Sequence, residues 1–428
     1  MPINLPESDA PRIVVIGAGF GGMTLVRKLS RSPYQVVLID RNNYHQFQPL
    51  FYQVAMSGLE PSSISFPLRK MFHKRKNVFI RMADVESVDL DARKIHTNLG
   101  YVNYDLLVFA MGVRTNFFGN QRIAQHALTL KSVAEALYLR NAVLSDLESA
   151  LTIRDFDERQ TRMDIVIVGG GPTGVELAGA LAEMKKFIIP AEYAELDPDE
   201  IDIYLIQGAD RLLQGMSEAA SLKARAFLEG LGVTVRTGIY VQDSDGRSVS
   251  LSDGSTIPCR KVIWAAGVTG HQIQGIPEEC YGQGHRLLVD SFHRLKGYEH
   301  VFVIGDQALM CTEEWPEGHP QVAQPAIQQA RNLAANLKRL RRGQTLRPFK
   351  YKDLGTLATI GRNKAVADLP GFRFQGFFAW VLWLVVHLKS ILGVKNKLFV
   401  LLNWIWGYVT YDQSLRIIIR HKVRAEEV

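Results

Sequence analysis

The hydrophobic pattern opens on a β-branched run, Arg12-Ile13-Val14-Val15-Ile16, that is broken at once by Gly17, Gly19 and Gly22. Apolar positions with helical spacing follow from Met23 to Leu29, and Gln35 to Ile39 is a second apolar run ending at Asp40. Short unbroken apolar runs between turn residues read as buried strands, and apolar positions three and four apart read as a helix. Strand, G-x-G-x-x-G, helix, strand and terminal acid, in that order, predict a dinucleotide-binding βαβ unit. The first glycine makes the tight turn, the second lets backbone approach a pyrophosphate, and the third lets helix pack on strand. The pyrophosphate would meet unpaired N–H groups at the helix N-terminus, and Asp40 would hold ribose hydroxyls.

Further along, Asn43 to Phe51 is aromatic and amide-rich, and with Pro49 inside it predicts a loop able to cover a planar ligand. Residues 78–97 alternate in β fashion, and Tyr104 to Met111 predicts a buried strand closed by Gly112, which completes a first half near Phe118. Val133 to Leu147 has helical periodicity, and the charged stretch Arg154 to Arg159 reads as a linker. The opening pattern then recurs: strand Asp164 to Val168, glycines Gly169, Gly171 and Gly174, a helix from Val175 to Lys185, an insertion from Phe187 to Glu200, and a strand from Ile201 to Ile206 before Gln207. Lys261 to Ala266 closes on Gly267 as the earlier strand closed on Gly112, and Val301 to Ile304 runs into Gly305-Asp306. Two fingerprints in matching contexts imply two dinucleotides. A carboxylate at Asp306 is acceptor-only and suits a sugar or ribityl hydroxyl.

The tail changes the picture. Phe377 to Val386 is unbroken and apolar, and a second apolar stretch runs from Leu398 to Val409 after Lys395-Asn396-Lys397. Four of the six tryptophans of the chain lie here. A spanning helix needs about 20 mostly apolar residues, and each run is shorter and flanked by Lys. The Trp, Tyr and Lys content predicts two amphipathic helices lying in the interface rather than a span across 377–394.

Composition adds little until it is localised. The 428 residues, 47% hydrophobic, are enough for packed cores in more than one domain. The net charge of +7 is concentrated at Lys338-Arg339, Arg341-Arg342, Arg347, Lys350 and Lys352. Placed just ahead of the apolar tail, these charges point to anionic lipid; no nucleic-acid motif accompanies them. Cys259, Cys280 and Cys311 are scattered, with neither a redox pair nor metal-ligand spacing. Met1 to Pro11 lacks the basic and apolar regions of a signal peptide, so the catalytic body is expected on the cytoplasmic face.

Together these motifs resemble the two-dinucleotide-binding flavoproteins related to the pyridine nucleotide-disulfide oxidoreductases. The stretch Ala323-Gln324-Pro325-Ala326-Ile327-Gln328-Gln329, the segment Asn43 to Ala55 and Gly174-Val175-Glu176 are similar to type II NADH:quinone oxidoreductases, and the likeness covers essentially the whole chain. The resemblance implies an α/β fold of two Rossmann-like domains with a C-terminal membrane-anchoring segment. It implies non-covalent FAD on Gly17, Gly19, Phe20, Gly22, Asp40, Arg41, Gly112 and Asp306, and NADH on Gly169, Gly171, Gly174, Gln207 and Gly267. Gln324 and Gln328 would face a membrane quinone, and Glu176 would lie near nicotinamide and flavin, although a first-turn charge favoured by the helix dipole is the bland alternative. Gln207 departs from the acid usual in NADH-selective members, and with Arg211 nearby it predicts that NADPH is used beside NADH.

The expected segments are 1–120 and 281–371 for FAD, 121–280 for NAD(P)H and 372–428 for membrane attachment. The reading is a peripheral, monotopic quinone reductase that pumps no ions, with a homodimer expected from its apolar tail. Reduction of a soluble acceptor and a redox-sensing flavoprotein are the alternatives.

Overall fold

The computed structural model describes residues 1–411 and 415–419, and the chain divides into two compact units. The first comprises Met1–His45, Phe66–Arg114 and Val268–Leu354; the second comprises Gln46–Ser65, Thr115–Gly267 and Gly355–Val428.

The first unit is built on a five-stranded parallel sheet in the spatial order Val301–Val303, Leu106–Phe109, Arg12–Ile16, Gln35–Asp40, Val78–Met82. Register pairs Ile13 with Val36 and with Leu106. Strands buried on both faces must be apolar throughout, which is why Val14, Val37, Leu107 and Val303 are fully buried. The fingerprint helix Phe20–Leu29 lies against helix Ala323–Leu340. The Tyr34 hydroxyl ties that pair to the sheet by donating to the Leu337 carbonyl at 2.8 Å.

The second unit repeats the plan with four parallel strands in the order Val233–Thr237, Ile203–Gln207, Ile165–Val168, Lys261–Trp264. Its fingerprint helix, Pro172–Glu183, is crossed by the antiparallel sheet of strands Thr356–Gly361, Lys364–Leu369 and Phe372–Gln375. The crossing is as tight as backbone allows, since a Cβ on Gly179 would sit 1.7 Å from the Ile360 carbonyl oxygen. Two helices follow, Phe377–Ser390 and Val394–Thr410.

Several local expectations are corrected. Asn43 to Phe51 is not a plain loop. It forms strand Tyr44–Gln46, a 3-10 turn Gln48–Leu50 and the start of helix Phe51–Ala55, with Pro49 in the first turn, where its missing N–H would have had no partner anyway. The charged stretch from Arg154 is a helix, Phe156–Met163, whose Asp155 cap accepts from the Glu158 N–H at 2.8 Å. Its charges form the solvated face of a capped helix. The tail forms two helices, as expected, but both turn apolar side chains outward: Phe378, Val385, Val394, Leu402, Trp406 and Val409 are all exposed. Among the described residues no helix is long and apolar enough to cross a membrane.

Candidate dinucleotide turns and a cavity

In the first unit the chain reverses at Gly17, whose φ of +102° belongs to glycine. A Cβ there would meet the Ala110 carbonyl oxygen at 2.3 Å, and one on Gly22 would meet the Gly17 carbonyl oxygen at 1.9 Å, whereas a Cβ on Gly19 would meet nothing within 4 Å. Two glycines close the turn against the sheet and the middle one leaves its outer side open to a ligand. The second unit reproduces this: Gly169 (φ +110°) against Ala265 at 2.5 Å, Gly174 against Gly169 at 1.9 Å, and open space at Gly171. Both helices start without a side-chain cap and without an acid in the first turn, so their leading N–H groups are left for an anion. Both turns fit a dinucleotide pyrophosphate.

Each turn is braced by the last residue of the next strand. Asp40 Oδ2 accepts from the Ala18 N–H at 2.6 Å and Oδ1 from the Asn42 N–H at 2.7 Å. Burial raises the Asp40 pKa, and the two N–H bonds oppose the rise. In the second unit Gln207 Oε1 accepts from the Gly170 N–H at 2.7 Å, which turns its amide nitrogen away from the turn. Arg211 is directed elsewhere: its guanidinium donates to the Met216 and Gln214 carbonyls at 2.8 and 2.9 Å.

The first turn has a second brace that the sequence did not single out. His45 is buried and its Nδ1 lies 2.7 Å from the Ala18 carbonyl. An acceptor on that side makes Nδ1 the protonated nitrogen. Burial lowers its pKa, so the ring is neutral, and it meets the Phe20 ring edge-on at 5.5 Å. Its only sequence signal was its place in the aromatic segment after Asp40.

The remaining expected contacts of the first unit gather at the same edge of the sheet. A Cβ on Gly21 would lie 3.4 Å from Ile304 and 3.5 Å from the Ala326 carbonyl, so the strand preceding Gly305-Asp306 and the start of helix Ala323–Leu340 both abut the turn. Gly112 has φ +69° with open space beside it, and Arg41 forms an exposed pair with Asp84 at 3.8 Å. Gln329, missed in the sequence, is buried and accepts from the Gly305 N–H at 2.7 Å. Gln324 Oε1 accepts from Leu354 N–H at 3.2 Å. Gln328 uses both ends of its amide on the Lys352 backbone, donating at 2.8 Å and accepting at 3.1 Å. These glutamines therefore hold the backbone at Lys352 and Leu354 to their helix.

Glu176 belongs to the second unit, as does Gly267. It sits in the second turn of helix Pro172–Glu183, which carries no acid in its first turn, so the dipole reading does not apply. It lines a cavity of about 160 Å³ together with Tyr52, Gln53, Glu183, Trp383 and Trp404. Burial pushes its pKa up to about 8, against the Thr359 backbone, which favours the ionised form. The Trp383 indole N–H lies near enough to oppose the rise as well, although it makes no hydrogen bond of normal geometry. At neutral pH Glu176 is therefore mostly a carboxylic acid. Glu183, two turns on, accepts from the Arg362 N–H at 2.5 Å.

Two nucleotide turns of this construction, with an acid-lined cavity beside the second fingerprint helix, define the class: a two-dinucleotide oxidoreductase. Residues 11–330 match the family described as pyridine nucleotide-disulphide oxidoreductase, and residues 354–410 match the NDH2 C-terminal domain. The type II NADH:quinone oxidoreductase Ndh of Mycobacterium tuberculosis is 35% identical over 421 residues, covering 94% of this chain and 90% of that protein. The type II NADH:quinone oxidoreductase of Staphylococcus aureus (strain NCTC 8325 / PS 47) is 27% identical over 403 residues, covering 90% and 96%. NDH2 from Plasmodium falciparum, solved in complex with NADH, has the same fold, with a TM-score of 0.88 over 96% of this chain and all of that one at 21% identity. The chain belongs to the type II NADH:quinone oxidoreductase family.

Proposed function

We propose that the chain oxidises NADH through non-covalently bound FAD and reduces a membrane quinone in the cavity of the second unit. The balance is NADH, one proton and quinone to NAD⁺ and quinol, with no ion moved across the membrane. When bound, FAD would supply the chemistry of hydride acceptance from NADH and two-electron delivery to quinone. The observation that carries this reading is a single helix. Pro172–Glu183 starts at the second pyrophosphate turn and presents its fifth residue, Glu176, to the cavity.

In this reading Gly17, Gly19, Phe20, Gly22, Asp40, Arg41, Gly112 and Asp306 hold FAD, joined by His45 as a brace of the turn. Gly169, Gly171, Gly174, Gln207 and Gly267 hold the nicotinamide nucleotide. Glu176 holds a proton at its carboxyl oxygen for the developing quinol, and Gln324 and Gln328 position the quinone-side segment. The functional division is 1–120 and 281–371 for FAD, 121–280 for the nucleotide and 372–428 for the membrane. The Gln207 amide nitrogen is a donor, compatible with a ribose hydroxyl or a 2′-phosphate, which supports NADPH as a second electron donor.

The outward apolar side chains of Phe377–Ser390 and Val394–Thr410 support attachment to one leaflet, with the basic residues between 338 and 352 directed to anionic headgroups on the cytoplasmic face. A homodimer through part of the same apolar surface completes the proposal. The test is turnover by purified protein with NADH and with NADPH against a panel of quinones, with the released flavin identified. Steady flux to quinone supports the reading, and a single flavin reduction without flux overturns it in favour of a sensor.

A further inference from the structure

The cavity beside Glu176 contains a chain of hydrogen bonds whose direction can be deduced. An indole nitrogen is only a donor, so the Trp404 Nε1 contact of 2.8 Å requires Gln53 to present its Oε1 to that ring. The Gln53 Nε2 then faces Tyr52 and donates to the phenol oxygen at 2.8 Å. Tyr52 is thereby the acceptor, and its own proton must point elsewhere. The phenol donates no hydrogen bond among the described residues, and Tyr52 is buried and lines the cavity. Burial holds its pKa well above the ordinary value, and the Glu176 charge, once formed, adds to the rise, so the proton stays in place.

A second donor ends in the same space. Trp383 is 1% exposed and lines the cavity, and its buried Nε1 makes no hydrogen bond of normal geometry, although the Glu176 carboxyl is close by. An orphaned buried N–H is costly and rare in a native fold. The ring is held from several sides: it stacks on His387 at 4.0 Å, meets Tyr52 at 6.3 Å and Trp404 at 6.0 Å. The His387 imidazole is fixed in turn, donating through Nδ1 to the Trp383 carbonyl at 2.7 Å. The indole cannot swing to find an acceptor without breaking this stack.

Two donors that make no hydrogen bond of normal geometry among the described residues share one small space beside the Glu176 carboxyl, a lining that suits a ligand carrying acceptor oxygens. The volume of about 160 Å³ compares with the roughly 150 Å³ cavity known to take a benzene ring. We propose that the Tyr52 phenol O–H and the Trp383 indole N–H are the hydrogen-bond donors that hold the carbonyl oxygens of the quinone ring, with Gln53 as the positioning residue that aims Tyr52. This rests on the quinone reading above and deepens it, because it names groups that bind the ring rather than groups that supply protons or electrons.

The test uses the full-length FAD-loaded protein in detergent, with menadione as a ring quinone without a long tail. Tyr52→Phe and Trp383→Phe each remove one donor and keep an aromatic ring, and their melting temperatures check that the fold is intact. Calorimetric titration should show menadione binding weakened about tenfold in each. The KM for menadione should rise in parallel, while anaerobic reduction of the flavin by NADH keeps its rate. Wild-type affinity in either variant overturns the assignment of that donor. Failure of the wild-type protein to bind or reduce any quinone sinks the underlying reading and this assignment with it.

Discussion

Gln207 accepts a 2.7 Å hydrogen bond from the Gly170 N–H, as Asp40 accepts one of 2.6 Å from the Ala18 N–H. The same brace is built twice in the chain, once with a charge and once without. In the second turn the amide oxygen is committed to the backbone, so the face left for the nucleotide is a donor and carries no negative charge. Gln207→Glu keeps the brace and adds a charge that repels a 2′-phosphate. The ratio of kcat/KM for NADH over NADPH should rise by tenfold or more, in line with about 1–2 kcal/mol for a close like-charge contact. An unchanged ratio would remove Gln207 as the selector. Arg211, held on the 214–216 carbonyls, is expected to contribute little, so Arg211→Ala should leave the ratio within twofold.

Glu176 titrates near 8 because burial disfavours its charge. Reoxidation of the reduced protein by quinone should therefore fall as pH rises through about 8, as the acid form is lost. Glu176→Gln should lower that step by about a hundredfold and flatten its pH profile. The same shift has a stability consequence. Raised above its unfolded value of 4.5, this group contributes stability that is fully present below that value and lost as pH rises toward 8. Chemical denaturation of Glu176→Gln should accordingly show a smaller loss between those limits than the wild type.

His45 predicts the opposite dependence. Its folded pKa lies below the ordinary 6.5, so its contribution is present above 6.5 and lost as pH falls below it. Retention of FAD on gel filtration should weaken on the acid side of 6.5. His45→Leu leaves the Ala18 carbonyl without this donor, which costs about 1–3 kcal/mol, and should release flavin at neutral pH. Full retention by the variant would reduce His45 to packing.

Gly179 is the point where the C-terminal sheet touches the second fingerprint helix, at 1.7 Å from a hypothetical Cβ to Ile360. Gly179→Leu must displace the strand Thr356–Gly361. A loss of about 3 kcal/mol is expected, read as a lower melting temperature, together with loss of quinone turnover because Thr359 and Ile360 line the cavity.

The outward apolar residues offer a cleaner test of membrane attachment than truncation. Cutting before Phe372 would remove Trp383 and Trp404 from the cavity wall. Charged substitutions at exposed Phe378, Leu402 and Trp406 leave that wall in place. The triple variant should move from vesicles of mixed neutral and anionic lipid to the supernatant on flotation, with FAD still bound. Undiminished flotation would place the contact elsewhere.

Both nucleotide turns, the helices they begin and the strand-end positions of Asp40 and Gln207 were legible in the sequence by itself, but not that these two side chains brace the turns. Each is a local device: a turn that only glycine can make, inside a strand–helix–strand unit closed within a few tens of residues, leaves a fixed spacing in the chain. The two apolar tail helices were legible for the same reason. Their unpartnered outer faces were not, because a run of apolar residues does not say which of them a neighbour covers. The cavity and its donors belong wholly to tertiary structure. Tyr52 and Gln53, Glu176, Trp383 and Trp404 come from four distant segments, with no periodicity to link them. That Tyr52 points its proton inward follows only from the Trp404–Gln53 contact, since an amide can face either way until its neighbours are in place.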